Sequence, residues 1–109
     1  MRYEVMLNEN AFYDLEDIYD YISKHAHPHN ADYVLNSMES VIESLSAFPE
    51  RGSYPKELLE LGIREYRQTF FKPYRVIYRI ISSIVYIMVI ADGRRDMEAL
   101  LTKRLLGQS

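Results

Sequence analysis

The sequence contains no cysteine and no tryptophan, and only four glycines and four prolines. Without cysteine there is no disulfide framework, no thiolate metal site and no cysteine nucleophile, which makes a reducing, cytoplasmic setting the expectation. The longest apolar stretch, Ile84 to Ala91, falls far short of the roughly 20 residues that a membrane-crossing helix needs. The first residues, Met1 to Val5, lack the apolar centre of a secretory signal. There is no Walker loop, nucleophile elbow or glycine-rich dinucleotide fingerprint, so no cofactor is expected. Histidine is confined to His25, His27 and His29. In an extended connection the middle ring of such a trio points away from the other two, so solvated loop histidines are expected and no metal site.

What is present is enough for one compact domain over residues 1–109, with 48% of residues hydrophobic. The formal net charge of −3 conceals an asymmetry. Residues 1–50 carry two basic and ten acidic side chains, a net −8, whereas residues 51–109 carry eleven and six, a net +5. Such a split is consistent with a surface for a polyanion or an acidic partner. It is equally consistent with an acidic layer partly neutralising a basic one inside the monomer.

Tyr3 to Leu7 reads as a short strand, and Asn8 offers a side-chain oxygen as the N-cap of a following helix. Ala11, Leu15, Ile18 and Ile22 recur at intervals of four, three and four, so they form one helical stripe. The acidic set Asp14, Glu16, Asp17 and Asp20 is read as the solvated outer face of that helix, since it lacks the glycine-containing loop of a calcium site. The helix is expected to stop near His25, ahead of Pro28. A second helix, from about Asn30 to Phe48, carries the strongest periodic signal: Ala31, Val34, Leu35, Met38, Val41, Ile42, Leu45 and Phe48. Pro49 ends it, Gly52, Ser53 and Pro55 mark a loop, and the short link makes the two helices an antiparallel hairpin. One or two helical turns fit between Pro55 and Gly62.

After Gly62 the period changes. Ile63 to Phe70 reads as a strand, Phe71 to Pro73 as a turn, and Tyr74 to Ile81 as a second strand. In that strand Arg75, Ile77, Arg79 and Ile81 share one face, and Val76, Tyr78 and Ile80 the other. Ser82-Ser83 serves as a hairpin connection, and Ile84 to Ala91, apolar on both faces, as a central strand. Met97, Leu100, Leu101 and Leu105 outline a short helix ending near Gly107. The order β-α-α-β-β-β-α defines an α+β fold: an N-terminal strand, a helical hairpin, then an antiparallel three-stranded meander completing the sheet, and a short C-terminal helix.

The cationic residues of this second half, Arg64, Arg67, Lys72, Arg75, Arg79, Arg94 and Arg95, lie on successive strands and at the last strand's exit. If the meander is antiparallel, Arg75 approaches Arg94 and Arg95 at one sheet end, and Arg79 lies toward the other. Gathered guanidinium forks suit phosphate or carboxylate groups. The alternative is solvated arginines or intramolecular pairs with Glu65, Asp92 and Asp96. Tyr66, Phe70, Tyr74 and Tyr78 interleave, as in base-stacking surfaces, although half-buried strands also favour aromatics.

The ordered set Ala11-x-x-x-Leu15-x-x-Ile18-x-x-Tyr21-Ile22, Leu45-x-x-Phe48-Pro49-x-x-Gly52, Arg64, Tyr74-Arg75-Val76-Ile77-Tyr78-Arg79, Gly93-Arg94-Arg95-Asp96 and Leu100-Leu101 with Arg104-Leu105-Leu106 resembles the RelE/ParE superfamily of toxins from bacterial type II toxin–antitoxin modules. The resemblance covers almost the whole chain. It implies a growth-inhibiting, plasmid-stabilising toxin held in check by a cognate antitoxin, whose acidic, amphipathic segment would need apolar anchors for the hairpin and carboxylates for the arginine-rich sheet. RelE-like members are ribosome-dependent endonucleases that cut messenger RNA; in that reading Arg67, Arg75 and Arg95 are the catalytic residues, aided by a C-terminal Tyr or His. ParE-like members have a longer helical hairpin and inhibit DNA gyrase by binding. Here no tyrosine follows Tyr86 and no histidine follows His29, and loss of such a general acid or base typically costs about 10²–10⁴-fold in rate. The long hairpin and the missing residue favour the ParE-like reading, with Arg64, Arg75, Arg79, Arg94, Arg95 and Arg104 as target- or antitoxin-binding residues. A third reading is a family member that only binds its antitoxin.

Overall fold

A computed structural model of the chain describes residues 2–107. Strand β1 spans Glu4–Leu7, helix α1 Glu9–His25, helix α2 Pro28–Ser44, the short helix α3 Lys56–Leu59, strands β2, β3 and β4 Arg67–Phe71, Tyr74–Ile81 and Ile84–Asp92, and helix α4 Met97–Leu106. The sheet order is β1-β4-β3-β2. The meander β2-β3-β4 is antiparallel, as expected, and β1 joins it parallel to β4, so the sheet is mixed.

Local chemistry explains the boundaries. The Asn8 side chain accepts a hydrogen bond from the Ala11 amide at 2.7 Å and starts α1, satisfying one of the amides a helix start leaves open. Helix α2 begins two residues earlier than its periodicity suggests: Pro28 occupies the first turn and the His27 ring accepts from the His29 amide. It also ends earlier, at Ser44, because residues 45–47 continue as tighter turns rather than helix. Phe48 is consequently exposed and does not join the core. The strand expected from Ile63 begins only at Arg67. Gly62 adopts a left-handed φ of 76° and the Ile63 amide bonds back to the Leu58 carbonyl at 2.9 Å, which uses that segment to close α3.

Two cores lie on opposite faces of the sheet. Ala11, Met38, Ile42 and Leu45 of the hairpin side pack with Val76, Tyr78, Val85, Ile87 and Ile90. On the other face Leu58, Tyr66, Met97 and Leu101 pack with Ile77, Val89 and Ala91. The alternation of β3 is regular, but β4 carries a bulge: Ile77 pairs with Val89 and Tyr78 with Ile87, leaving Met88 unpaired and reversing the faces of the residues beyond it.

Candidate functional site

The antiparallel pairing sets Arg75 opposite Ala91 and Tyr74 opposite Asp92, so the sheet end holding Arg75, Arg94 and Arg95 forms as the pattern suggests. The side chains then part. Arg75 turns beneath α3, where its two terminal nitrogens donate to the Glu57 carboxylate at 2.8 Å each and its Nε donates to Gln68 at 2.9 Å. Only 11% of its side chain is accessible. Gly93 permits this path, because a Cβ there would stand 3.0 Å from the Arg75 stem. The hydrogen bonds from Arg75 are the leading reason that Glu57 is held below the ordinary carboxylate range.

Arg94 and Arg95 stay exposed. Arg94 folds back on Asp92 in a bidentate pair at 2.9 and 2.6 Å, and that contact lowers Asp92 to about 2. Arg95 makes no salt bridge among the described residues. Together with Tyr74, Asp92 and the α1 residues Asp17, Ile18, Tyr21 and Ile22 they border an open cleft of about 590 Å³.

A second basic cluster occupies the far end of the sheet. Arg64, Arg67 and Arg79 border a smaller cleft of about 340 Å³ with Glu50, Tyr54 and Glu65. Arg67 lies over the Tyr54 ring and donates to the Glu50 and Gly52 carbonyls at 3.2 and 2.9 Å. Arg79 lies over Tyr66 and approaches Glu65 at 3.8 Å. Arg64 is exposed. Of the expected intramolecular pairs, those with Glu65 and Asp92 form.

Arg104 points the other way entirely. It donates twice to Asp14 at 3.0 Å and once to the Met88 carbonyl at 2.9 Å, while Asp14 also accepts from the Ile90 amide at 3.0 Å. Asp14 is therefore not part of a solvated acidic face. The signal was in the spacing: Asp14 stands three residues after Ala11 and four before Ile18, on the apolar stripe itself. Glu57 and Gln68, the other partners missed by motif reading, bear no such mark. The histidines lie at the helix link, His25 stacked on Tyr21, and no metal-holding group of His, Asp or Glu occurs among the described residues. No described helix is long and apolar enough to cross a membrane.

Solved structures share this architecture. The chain superposes with a TM-score of 0.70 on a chain of the chromosomal ParDE toxin–antitoxin system from P. aeruginosa, at 16% identity, covering 84% of this chain and 96% of that one. It also superposes at 0.64 on the E. coli toxin RelE in the free state, in a mutant form, at 13% identity over 96% and 99% of the two chains. At 0.61 it matches a chain of the toxin–antitoxin complex RelBE2 from Mycobacterium tuberculosis, at 19% identity over 84% and 92%. These likenesses define the fold as that of RelE/ParE toxins.

The sequence narrows the class. Residues 5–97 match the family described as the ParE toxin of the type II toxin–antitoxin system parDE, and the chain belongs to that family. It is also 40% identical over 70 residues to Toxin ParE3 of Caulobacter vibrioides; the alignment spans 64% of this chain and 66% of that relative's length.

Proposed function

We propose that this ParE-family toxin inhibits growth in the cytoplasm by binding DNA gyrase, without a reaction of its own, and that a cognate antitoxin neutralises it. The observation that carries the reading is the fate of Arg75. A nuclease of the RelE type would need that guanidinium free to meet the scissile phosphate, and here Glu57 and Gln68 hold it under α3. Arg67 is likewise engaged by the Glu50 and Gly52 carbonyls, and α4 presents neither tyrosine nor histidine. The family match supports the same reading. The exposed Arg64, Arg94 and Arg95, with half-exposed Arg79, then serve as contacts to target or antitoxin, and Arg75 and Arg104 position the elements that carry them.

Induction in bacteria tests this directly. Gyrase poisoning predicts double-strand breaks and an SOS response with messenger RNA intact, and supercoiling by purified gyrase inhibited by the purified chain. Fragmented messenger RNA over an intact chromosome overturns the reading in favour of ribosome-dependent cleavage. A folded product without effect on growth overturns it in favour of an antitoxin-binding member alone.

A further inference from the structure

The outer edge of β4 is only half covered. Strand β1 pairs with Ile84 to Ile87, and among the described residues no strand lies on that side beyond it. In an antiparallel pair the backbone groups of alternate residues point away from the partner. Arg104 reaches the Met88 carbonyl and Asp14 the Ile90 amide, so residues 88, 90 and 92 are the ones that face outward. The Ile90 carbonyl and the Asp92 amide consequently open into the cleft between α1 and β4.

This leaves one acceptor and, two residues later, one donor on an exposed strand edge. A single residue of a parallel strand satisfies both, giving its N–H to the earlier carbonyl and accepting from the later amide. An antiparallel strand opposite Ile90 or Asp92 would find half of each exchange already occupied, because the Ile90 amide is bonded to Asp14 and the Asp92 carbonyl accepts from the Arg95 amide at 3.1 Å. The walls add chemistry. Residues flanking the one opposite Ala91 would turn to the face of Ile90, toward Ile18 and Ile22 of α1. A strand parallel to β4 runs toward Arg94 and Arg95, and Arg95 has no carboxylate partner among the described residues.

We propose that this slot takes an extended segment of a partner protein, added parallel to β4 with one residue opposite Ala91, apolar residues on either side of it and a carboxylate beyond them at Arg95. Main-chain bonds supply the docking and the alternate side chains the specificity. That the segment belongs to the antitoxin rests on the function proposed above; the slot itself does not.

The test uses the complex formed on co-expression with the protein encoded beside this chain's gene. The Asp92 amide is expected to exchange at least 100-fold more slowly in the complex than in the free chain, and to show a coupling through the hydrogen bond to a carbonyl carbon of the partner. Arg95→Glu is expected to weaken the complex tenfold or more, and Lys24→Glu less than twofold. A complex in which the Asp92 amide exchanges as in the free chain, or is slowed without that coupling, overturns the slot and leaves the antitoxin reading standing. Absence of any complex overturns both.

Discussion

The two faces of the sheet are closed by very different amounts of helix. One face lies under two 17-residue helices, α1 and α2, whose stripes meet Val76, Tyr78, Val85 and Ile87. Among the described residues the other has only α3, four residues long, and α4, ten residues long. Apolar packing seals most of the first face, with the Tyr78 hydroxyl and the Asp14 carboxylate as its polar contacts. On the second, a bidentate ion pair supplements Leu58, Met97 and Leu101: Arg75 is clamped by Glu57 beneath α3. A further pair, Arg104 with Asp14, ties α4 around the β4 edge to α1. Where helix is short, charge and main-chain hydrogen bonds replace apolar burial. Such contacts depend on protonation and on single atoms, which makes the second face the sensitive one.

The largest expected effect comes from cutting the tie between the faces. Asp14→Ala leaves the Arg104 guanidinium without its carboxylate and the Ile90 amide without an acceptor, both in partly buried surroundings. Breaking one side of such a pair costs about 3 kcal/mol. Urea unfolding should show that loss, and hydrogen exchange should show α4 opening before α1 and α2. A global loss under about 1 kcal/mol, the usual ceiling for an exposed pair, would mean that the two faces are held together by apolar contact alone.

Next in size is a change on the hairpin face that involves no charge. The Tyr78 hydroxyl donates to the Pro49 carbonyl at 2.7 Å and accepts from the Gly52 amide at 3.1 Å. A Cβ at Gly52 would collide with that hydroxyl and lie 2.5 Å from the Gln68 carbonyl. Gly52→Ala should therefore destabilise by about 2 kcal/mol, as overpacking of a filled site does, and equally at neutral and acidic pH. A pH-dependent loss would show that the loop, not the packing, gives way.

The charged face should respond to acid where the hairpin face does not. Glu57 titrates below its ordinary 4.5 in the folded chain, chiefly through the hydrogen bonds from Arg75. A carboxyl lowered by folding stabilises the fold above its unfolded value, and that contribution disappears as pH falls through the folded value. Stability should therefore decline below about pH 4.5, with Asp92, held at about 2 by Arg94, adding to the decline in the same direction. Glu57→Gln should lower the urea midpoint at neutral pH and narrow the gap between neutral pH and about pH 3. An unchanged gap would remove Glu57 from the acid response.

This contrast also marks how far the sequence could be read. Elements fixed by local chemistry were legible: the Asn8 cap, the helical hairpin turned at Pro28, the alternating β3 and the left-handed stop at Gly107. The parallel placement of β1 was not, because Glu4 to Leu7 pairs with residues 80 positions away and nothing local encodes direction. The bulge at Met88 was hidden in a run that is apolar on both faces, where a change of parity leaves the pattern intact. At the candidate site the arginines themselves were visible, and so was the approach of Arg75 to Arg94 and Arg95 at one sheet end with Arg79 toward the other; the gathering of Arg64 and Arg67 beside Arg79 was not. Nor were the arginines' partners: Glu57 lies 18 residues from Arg75 and Asp14 lies 90 from Arg104, and charge complementarity over such separations has no spacing rule.

The smallest expected effect separates the two sheet ends. Arg79 meets Glu65 at 3.8 Å with 38% and 61% of their side chains exposed, in contrast to the enclosed Arg75 pair at the other end. Exposed pairs of this kind contribute about 0–1 kcal/mol, so Glu65→Gln should change stability by less than about 0.5 kcal/mol. Its consequence should appear in binding instead. Removing the carboxylate beside Arg64 and Arg79 makes that cleft more positive, so if it contacts an acidic partner, association should accelerate, most visibly at low salt. An unchanged association rate across ionic strength would exclude this end of the sheet from the interface and leave Arg94 and Arg95 as the charged contact.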